Sequence, residues 1–124
     1  MQKTSMKNIL VVDDEADILL VLAEFLNKEG FHVLTANSGA RAIEKLKEFQ
    51  VDLILLDIAM PEMNGIETLK QMKTSGACPP VIMITAYKDA EKVVEAFRSG
   101  AYDCIFKPFD LKYLRESVLA KLLV

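Results

Sequence analysis

Short, continuously apolar segments alternate with longer segments of helical periodicity along the whole chain, and this alternation restricts the fold more than any other feature. The segments "ILVV" (9–12), "LILL" (53–56) and "VIMI" (81–84) contain no polar residue. Strands of this composition are typical of a parallel sheet that is covered by helices on both faces. Five strand and helix pairs in alternation therefore predict an α/β fold, a doubly wound, parallel, five-stranded sheet.

The same patterns predict where the elements begin and end. Strands are predicted over Asn8–Val12, Phe31–Ala36, Asp52–Asp57 and Pro80–Ala86, with a fifth inside Tyr102–Phe109. Helices are predicted over Asp17–Glu29, Ala40–Phe49, Gly65–Thr74, Asp89–Gly100 and Leu111–Leu123. Caps are predicted for the N-termini of the second and fifth helices at Ser38 and Asp110, and stops for the first and fourth at Gly30 and Gly100.

Composition limits the classes of function. The chain has 124 residues, 52% of them hydrophobic, which fits one domain, residues 1–124, with a well-filled core. The net charge is −3, with Lys and Arg interleaved among acids, so no nucleic-acid surface is predicted. No apolar run approaches the roughly 20 residues that span a membrane. Cys78 and Cys104 match neither a metal-site spacing nor a secreted disulfide framework, and a cytoplasmic location is therefore predicted.

Four of the predicted strands end in chemically active residues. The first strand is followed by Asp13-Asp14-Glu15, the third ends at Asp57, the fourth carries Thr85 and the fifth carries Lys107. Each has an ordinary explanation when taken alone: acids open helices, Thr favours strands, and Lys before Pro is common in loops. However, a doubly wound sheet binds its ligands at the carboxyl ends of its strands. Convergence of all four ends favours a functional site there.

The residue types at these strand ends fit phosphoryl chemistry. Clustered carboxylates repel one another unless a cation lies between them, and oxygen ligands without His or Cys suit Mg²⁺. A Lys ammonium and a Thr hydroxyl can hold the oxygens of a transferring phosphoryl group, while Asp57 acts as nucleophile. The first loop, "VVDDEADI", has no glycine. A nucleotide-binding loop or a flavin site is disfavoured for that reason.

Four segments resemble the receiver domain of bacterial two-component response regulators: "ILVVDDE", "DLILLDIAMPEMNG", "VIMITAY" and "GAYDCIFKPF". The resemblance implies a flavodoxin-like (βα)5 fold with strand order 2-1-3-4-5. It also implies a signalling switch that receives a phosphoryl group from a sensor histidine kinase or phosphotransfer protein. The signal would leave through helix 4, strand 5 and helix 5. Because no output domain is recognised, the chain is predicted to be either a stand-alone protein or part of a larger regulator.

The resemblance assigns roles to single residues. Asp57 would accept the phosphoryl group, and Asp14, Asp57 and the backbone carbonyl of Ala59 would ligate Mg²⁺. Asp13 would hold the metal through water. Lys107 would pair first with Asp57 and then with the phosphoryl group, and its bond to Pro108 would be cis.

The resemblance also assigns roles in the conformational switch and in the lifetime of the acyl phosphate. Thr85 would move to hydrogen-bond the phosphoryl group. Many receivers have an aromatic residue where this chain has Cys104, and a thiol cannot replace a rotating ring. Phe106 lies on the same face of the strand, so a substitute role is open, but we expect the switch to run mainly through Thr85 and the loop after it. Ala59 and Tyr87 would flank the hydrolytic water and lengthen the lifetime of the acyl phosphate.

Two other classes of function stay open at this point. An Asp-nucleophile phosphatase-like hydrolase would need a second Asp where this chain has Ala59, and a pure interaction module would not need complete site residues. We therefore expect a switch rather than a conventional enzyme. Apolar residues at the chain end, Leu119, Leu123 and Val124, indicate either a dimer contact or a helix that continues into a linker. A homodimer through helix 4, strand 5 and helix 5 is one predicted association.

Overall fold

Five strands and five helices alternate along the chain in the computed structural model, which describes residues 7–76, 78–86, 90–108 and 110–122. The strands are β1 (Asn8–Val12), β2 (His32–Ala36), β3 (Leu53–Asp57), β4 (Val81–Ala86) and β5 (Asp103–Lys107). The helices are α1 (Ala16–Lys28), α2 (Gly39–Glu48), α3 (Gly65–Thr74), α4 (Ala90–Arg98) and α5 (Leu111–Leu122). The predicted alternation of five strands with five helices is confirmed.

All five strands are parallel and form one sheet in the order β2-β1-β3-β4-β5. This is the predicted order. The register pairs Val12 with Leu56, and the last residue of β3, Asp57, with Ile84. Because neighbouring strands run in the same direction, their carboxyl ends meet at one edge of the sheet.

The sheet buries both of its faces. Residues of one parity, such as Leu10, Leu56 and Met83, pack in a cluster with residues of α2, α3 and α4. Residues of the other parity, such as Val11 and Leu55, pack with α1 and α5. The continuously apolar sequences of the inner strands follow from this arrangement, because each of their residues faces one of two helical layers. The result is a rigid support for the residues that follow the strands.

Local signals predicted the helix ends well. The Ser38 side chain accepts a hydrogen bond from the Arg41 amide at 3.2 Å, and Asp110 accepts from two amides in the first turn of α5. Gly30 and Gly100 follow α1 and α4 with φ of 97° and 108°, a conformation that glycine adopts without steric cost.

A few predicted boundaries were wrong by one or two residues. Asp52 precedes β3 rather than opening it, because its carboxylate accepts a hydrogen bond from the Asn8 amide at 2.7 Å. The fourth helix ends at Arg98, since the positive φ of Gly100 cannot continue it. The predicted first residue of that helix, Asp89, lies outside the described residues.

More of the apolar surface of α5 is buried than its sequence indicates. Leu119 and Leu122 are partly buried against the cluster that contains Val11 and Leu55, whereas Leu123 and Val124 lie outside the described residues. None of the helices in the described part of the chain has the length and apolar composition needed to cross a membrane.

Candidate functional site

The carboxyl edge of the sheet carries a group of buried polar residues. Asp13 follows β1, Asp57 ends β3 and Thr85 lies in β4, and these three residues are 0%, 2% and 0% exposed. They are three of the four buried polar or charged residues in the described part of the chain. Burial of polar side chains is costly unless they have partners, so their concentration at one edge marks this place as a site.

Three aspartates form an acidic cluster at this edge. Asp13, Asp14 and Asp57 each present a carboxylate oxygen, and these oxygens lie within 4.8 Å of one another. The backbone of the first loop fixes Asp13, whose amide donates to the Ala36 carbonyl at 3.1 Å. Its Oδ1 accepts from the Glu15 amide at 2.9 Å. The structure thus brings together the three carboxylates that the sequence placed at two different strand ends.

Lys107 reaches into the acidic cluster from the end of β5. Its Nζ lies 3.2 Å from Asp13 Oδ2, 3.1 Å from Glu15 Oε1 and 3.5 Å from Asp57 Oδ2. Burial lowers the pKa of Lys107, but the hydrogen bond to Glu15 and the charges of Asp57 and Asp13 outweigh it and leave the pKa above its usual value. The side chain is therefore a fixed positive charge. The peptide bond from Lys107 to Pro108 is cis.

Asp57 is held in an environment that disfavours its charged form. Burial and the negative charge of Asp13 raise the pKa of Asp57 from 3.8 to about 7, although Lys107 and the Ala59 amide act in the opposite direction. The Ala59 amide donates to Asp57 Oδ1 at 3.2 Å. One lysine thus does not neutralise this group of carboxylates.

The donor set fits a divalent cation. Asp13 Oδ2 is buried and makes no hydrogen bond of acceptable geometry, although it lies within ion-pair distance of Lys107 Nζ. A buried carboxylate oxygen without a hydrogen bond, together with the raised pKa of Asp57, indicates that the site has room for further positive charge. The cluster offers only oxygen ligands, which suits a hard ion such as Mg²⁺.

The loop after β3 returns the chain so that the backbone of Gly65 lies close to the backbone of Asp57 and Ile58. Glu62 has a φ of 66°, and Asn64 forms a capping box with Glu67 at the start of α3. The Gly65 amide donates to the Ile58 carbonyl at 2.8 Å. A Cβ atom at Gly65 would lie 2.8 Å from the Ile58 Cα, closer than real contacts allow. The Asn-Gly pair that follows the phosphoacceptor candidate is therefore a helix cap followed by a close backbone approach.

Residues assigned to the switch lie along β4 and β5. The Thr85 hydroxyl donates to the Ala86 carbonyl at 3.2 Å. Cys104 is 8% exposed, and Phe106, two residues along the same face of β5, is 43% exposed. Both line a cleft of about 370 Å³ that also includes Tyr113. Tyr87 lies outside the described residues.

The two cysteines are free, as expected from their spacing. Burial, and secondarily the charge of Asp103, raises the pKa of the Cys104 thiol to about 11. Burial likewise raises the pKa of Cys78, against the effect of Lys73. A buried thiol with a raised pKa is a poor nucleophile, so Cys104 acts as a small apolar residue at this position.

Glu15 is the site residue that sequence reasoning missed. Its position as the third acid after β1 does not by itself assign it a role. In the structure its carboxylate contacts Lys107, a residue 92 positions away. The available signal was its position in the run of three acids at a strand end, and the choice of partner needed the tertiary structure.

The chain is similar to several proteins of known class. It is 42% identical to the regulatory protein AtoC of Escherichia coli over 90% of this chain and 24% of that protein. It is 41% identical to the chemotaxis protein CheY of Bacillus subtilis over 89% of this chain and 92% of that protein. The chain thus spans about a quarter of the length of AtoC and nearly all of that CheY.

Solved structures give the same result. A two-component response regulator from Clostridium difficile superposes with a TM-score of 0.88 at 28% identity, covering 94% of this chain and 95% of that one. The family profile of the response regulator receiver domain matches residues 9–119. The chain described here belongs to the response regulator receiver domain family.

Proposed function

We propose that this domain is a phosphorylation-dependent switch in which Asp57 accepts a phosphoryl group from a phosphohistidine. The donor is a sensor histidine kinase or a phosphotransfer protein. One observation carries the proposal: a buried Asp57 carboxylate lies among two further aspartates and the Lys107 ammonium at the carboxyl edge of a rigid sheet. Membership of the receiver family supports the same conclusion.

In the transfer step, an Asp57 carboxylate oxygen attacks the phosphorus atom of the donor. The phosphorus–nitrogen bond breaks, its electron pair returns to the imidazole nitrogen, and an acyl phosphate forms on Asp57. Lys107 binds an oxygen of the phosphoryl group through its ammonium, which offsets the negative charge of that group.

Mg²⁺ would supply the remaining positive charge. Asp14, Asp57 and the backbone carbonyl of Ala59 are the proposed ligands, and Asp13 would hold the ion through a water molecule. Asp14 is exposed whereas Asp13 is buried, and this difference fits an ion that enters from the solvent side. When bound, the ion neutralises phosphoryl oxygens in the transition state.

Thr85 is the proposed reporter of phosphorylation. Its hydroxyl now donates to the neighbouring Ala86 carbonyl, a local bond that can be exchanged for a phosphoryl oxygen. Cys104 has no ring to move inward when Thr85 shifts. We therefore propose that the signal passes mainly through Thr85 and the segment after Ala86, with Phe106 as a second participant.

The surface formed by α4, β5 and α5 is the proposed output face. Four of its aromatic side chains are between 43% and 48% exposed: Phe97, Tyr102, Phe106 and Tyr113. Exposed aromatic residues are enriched at protein interfaces. A downstream protein or a second copy of the domain would bind here, without direct contact to nucleic acid.

We further propose that the domain promotes its own phosphorylation and dephosphorylation but turns over no external substrate, so that it is a switch and not a conventional enzyme. A cytoplasmic location is part of the proposal. We also propose that Ala59 and Tyr87 hinder the approach of the hydrolytic water and so make the acyl phosphate long-lived.

Intact-mass spectrometry after incubation with acetyl phosphate and Mg²⁺ tests the proposal. We expect one phosphoryl adduct on the wild-type chain and none on Asp57→Asn. Asp52→Asn is the matched control, because Asp52 directly precedes the opposite end of β3, and this variant should keep the adduct. An unmodified wild type, or an adduct that persists in Asp57→Asn, would contradict the assignment.

A further inference from the structure

Glu15 is a charged residue at the site that the proposed function does not use. Its Oε1 lies 3.1 Å from Lys107 Nζ, whereas Asp57 Oδ2 lies 3.5 Å from the same atom. The Glu15 side chain is 62% exposed and that of Asp57 is 2% exposed. Glu15 therefore holds the ammonium from the solvent side of the site, while Asp57 faces it from the interior.

The local backbone explains why the Glu15 carboxylate is available to Lys107. Glu15 occupies the N-cap position of α1 with φ −92° and ψ 114°, yet its side chain makes no capping hydrogen bond. Its amide donates to Asp13 Oδ1 at 2.9 Å, which anchors the residue beside the acidic cluster. A shorter Ser, Asp or Asn at this position would cap the helix instead.

The ammonium is already surrounded by acceptors. A lysine Nζ carries three N–H donors, and Lys107 donates hydrogen bonds to Glu15 and Asp57 and lies 3.2 Å from Asp13 Oδ2. A phosphoryl oxygen on Asp57 would take over the contact of Asp57 with Lys107, and it would then compete with Glu15 for the ammonium. Glu15 is the most exposed of the three, so water replaces its contact at the least desolvation cost.

We propose that Glu15 is a positioning residue that restrains Lys107 in the unphosphorylated domain and competes with the phosphoryl group for its ammonium. This inference rests on the proposed function of Asp57. Its consequence is that Glu15 weakens the binding of a phosphoryl group or its analogue. An exposed ion pair has a modest strength, which corresponds to a change of about two- to fivefold in affinity.

Beryllofluoride, an analogue of the phosphoryl group, provides the test. Its affinity is measured by NMR titration at saturating Mg²⁺ for four chains: wild type, Glu15→Gln, Lys107→Met and the double variant. We expect Glu15→Gln to tighten binding about two- to fivefold in the wild-type background and to have no such effect when Lys107 is replaced. Such a double-mutant cycle isolates the part of the effect that passes through Lys107.

Asp17→Asn is the matched control for charge. Asp17 also lies in the first turn of α1, but it is not among the carboxylates that pair with Lys107. If Lys107→Met binds beryllofluoride too weakly to measure, the comparison of Glu15→Gln with Asp17→Asn is sufficient to test the role of Glu15. Thermal unfolding of each variant checks that the fold is retained.

The outcomes are distinct. Tighter binding that depends on Lys107, or that is absent from Asp17→Asn, supports the role of Glu15. Weaker binding in Glu15→Gln, an equal change in both Lys107 backgrounds, or an equal change in Asp17→Asn overturns it. A wild-type domain that binds no beryllofluoride overturns the proposed function of Asp57 itself, and the role of Glu15 with it.

Discussion

Lys107 Nζ lies 3.5 Å from Asp57 Oδ2, although the two residues belong to strands that are not neighbours. Strand β4 separates β3 from β5, and the register pairs Asp57 with Ile84 and Lys107 with Ala86. The Lys107 backbone therefore lies level with Ala86, two residues beyond the level at which β3 ends. Its side chain extends back across β4 to Asp57. Only a long, flexible side chain covers that span, and this geometry explains why a lysine serves here.

The raised pKa of Asp57 predicts how stability depends on pH without metal. Between pH 3.8 and about 7 the folded chain holds a proton on Asp57 that the unfolded chain has lost. Stability therefore falls as pH rises through this window and levels off above it. Asp57→Asn removes this loss of stability and should stabilise the Mg²⁺-free domain at pH 8 by up to about 4 kcal/mol, with little effect near pH 4.

Urea unfolding in the presence of a chelator measures this difference across the pH range. Asp52→Asn serves as control, since Asp52 precedes the amino end of β3 and is not part of the acidic cluster, and this variant should not gain stability over the wild type at pH 8. A wild type that is equally or more stable than Asp57→Asn at pH 8 would show that the buried carboxylate is not a source of strain.

Binding of Mg²⁺ should stabilise the folded domain, because the unfolded chain does not assemble the acidic cluster. Asp14→Asn removes one proposed ligand and should weaken Mg²⁺ binding by about tenfold, a loss of about 1.4 kcal/mol. Thermal unfolding as a function of Mg²⁺ concentration gives both affinities. Asp17→Asn should retain the wild-type response, and an unchanged response in Asp14→Asn would remove Asp14 from the ligand set.

Replacement of Gly65 should destabilise the domain, because a Cβ atom there meets the backbone of Ile58 at 2.8 Å from its Cα. Gly65→Ala is expected to cost about 2 kcal/mol or more in the free energy of unfolding. Gly76→Ala is the comparison: no atom lies within 4 Å of its Cβ position, and only its φ of +121° opposes the change. That variant should cost about 1 kcal/mol. Equal costs for the two would disprove the steric argument.

Thr85→Ala should reduce the response of α4 to phosphorylation, since the hydroxyl is the proposed link between the phosphoryl group and the segment that follows β4. Amide chemical shifts around α4, recorded before and after phosphorylation, measure the response. Thr74→Ala, at the exposed end of α3, should respond like the wild type. Shift changes of equal size in Thr85→Ala and wild type would exclude Thr85 as the main route.

The acyl phosphate should persist for longer in the wild type than in Ala59→Asn or Tyr87→Ala. An Asn at position 59 offers a polar group that can orient the hydrolytic water, and Tyr87→Ala removes a bulky side chain that we propose hinders this water. Loss of labelled phosphate after removal of the donor gives the rates. Ala40→Asn, an exposed change on α2, is the control. Faster loss from the wild type would contradict both roles.

Several features were predictable because their causes are local. Buried strands and helical periodicity come from side-chain patterns over a few residues, and Ser38, Asp110 and Gly30 marked helix ends through short-range hydrogen bonds and backbone geometry. The place of the site followed from topology, since parallel strands bring their carboxyl ends to one edge. These features could therefore be predicted without knowledge of the contacts between residues that are distant in sequence.

The alternating fold, the strand ends that carry polar residues and the chemical types found there could all be predicted from the sequence. Contacts between distant residues were needed to show that Glu15 is a partner of Lys107, that Asp13 Oδ2 is buried without a hydrogen bond and that burial raises the pKa of Asp57 to about 7. The physical reason is that side-chain pairing and desolvation depend on positions set by packing between residues distant in sequence, whereas the propensities that form strands and helices act between neighbours.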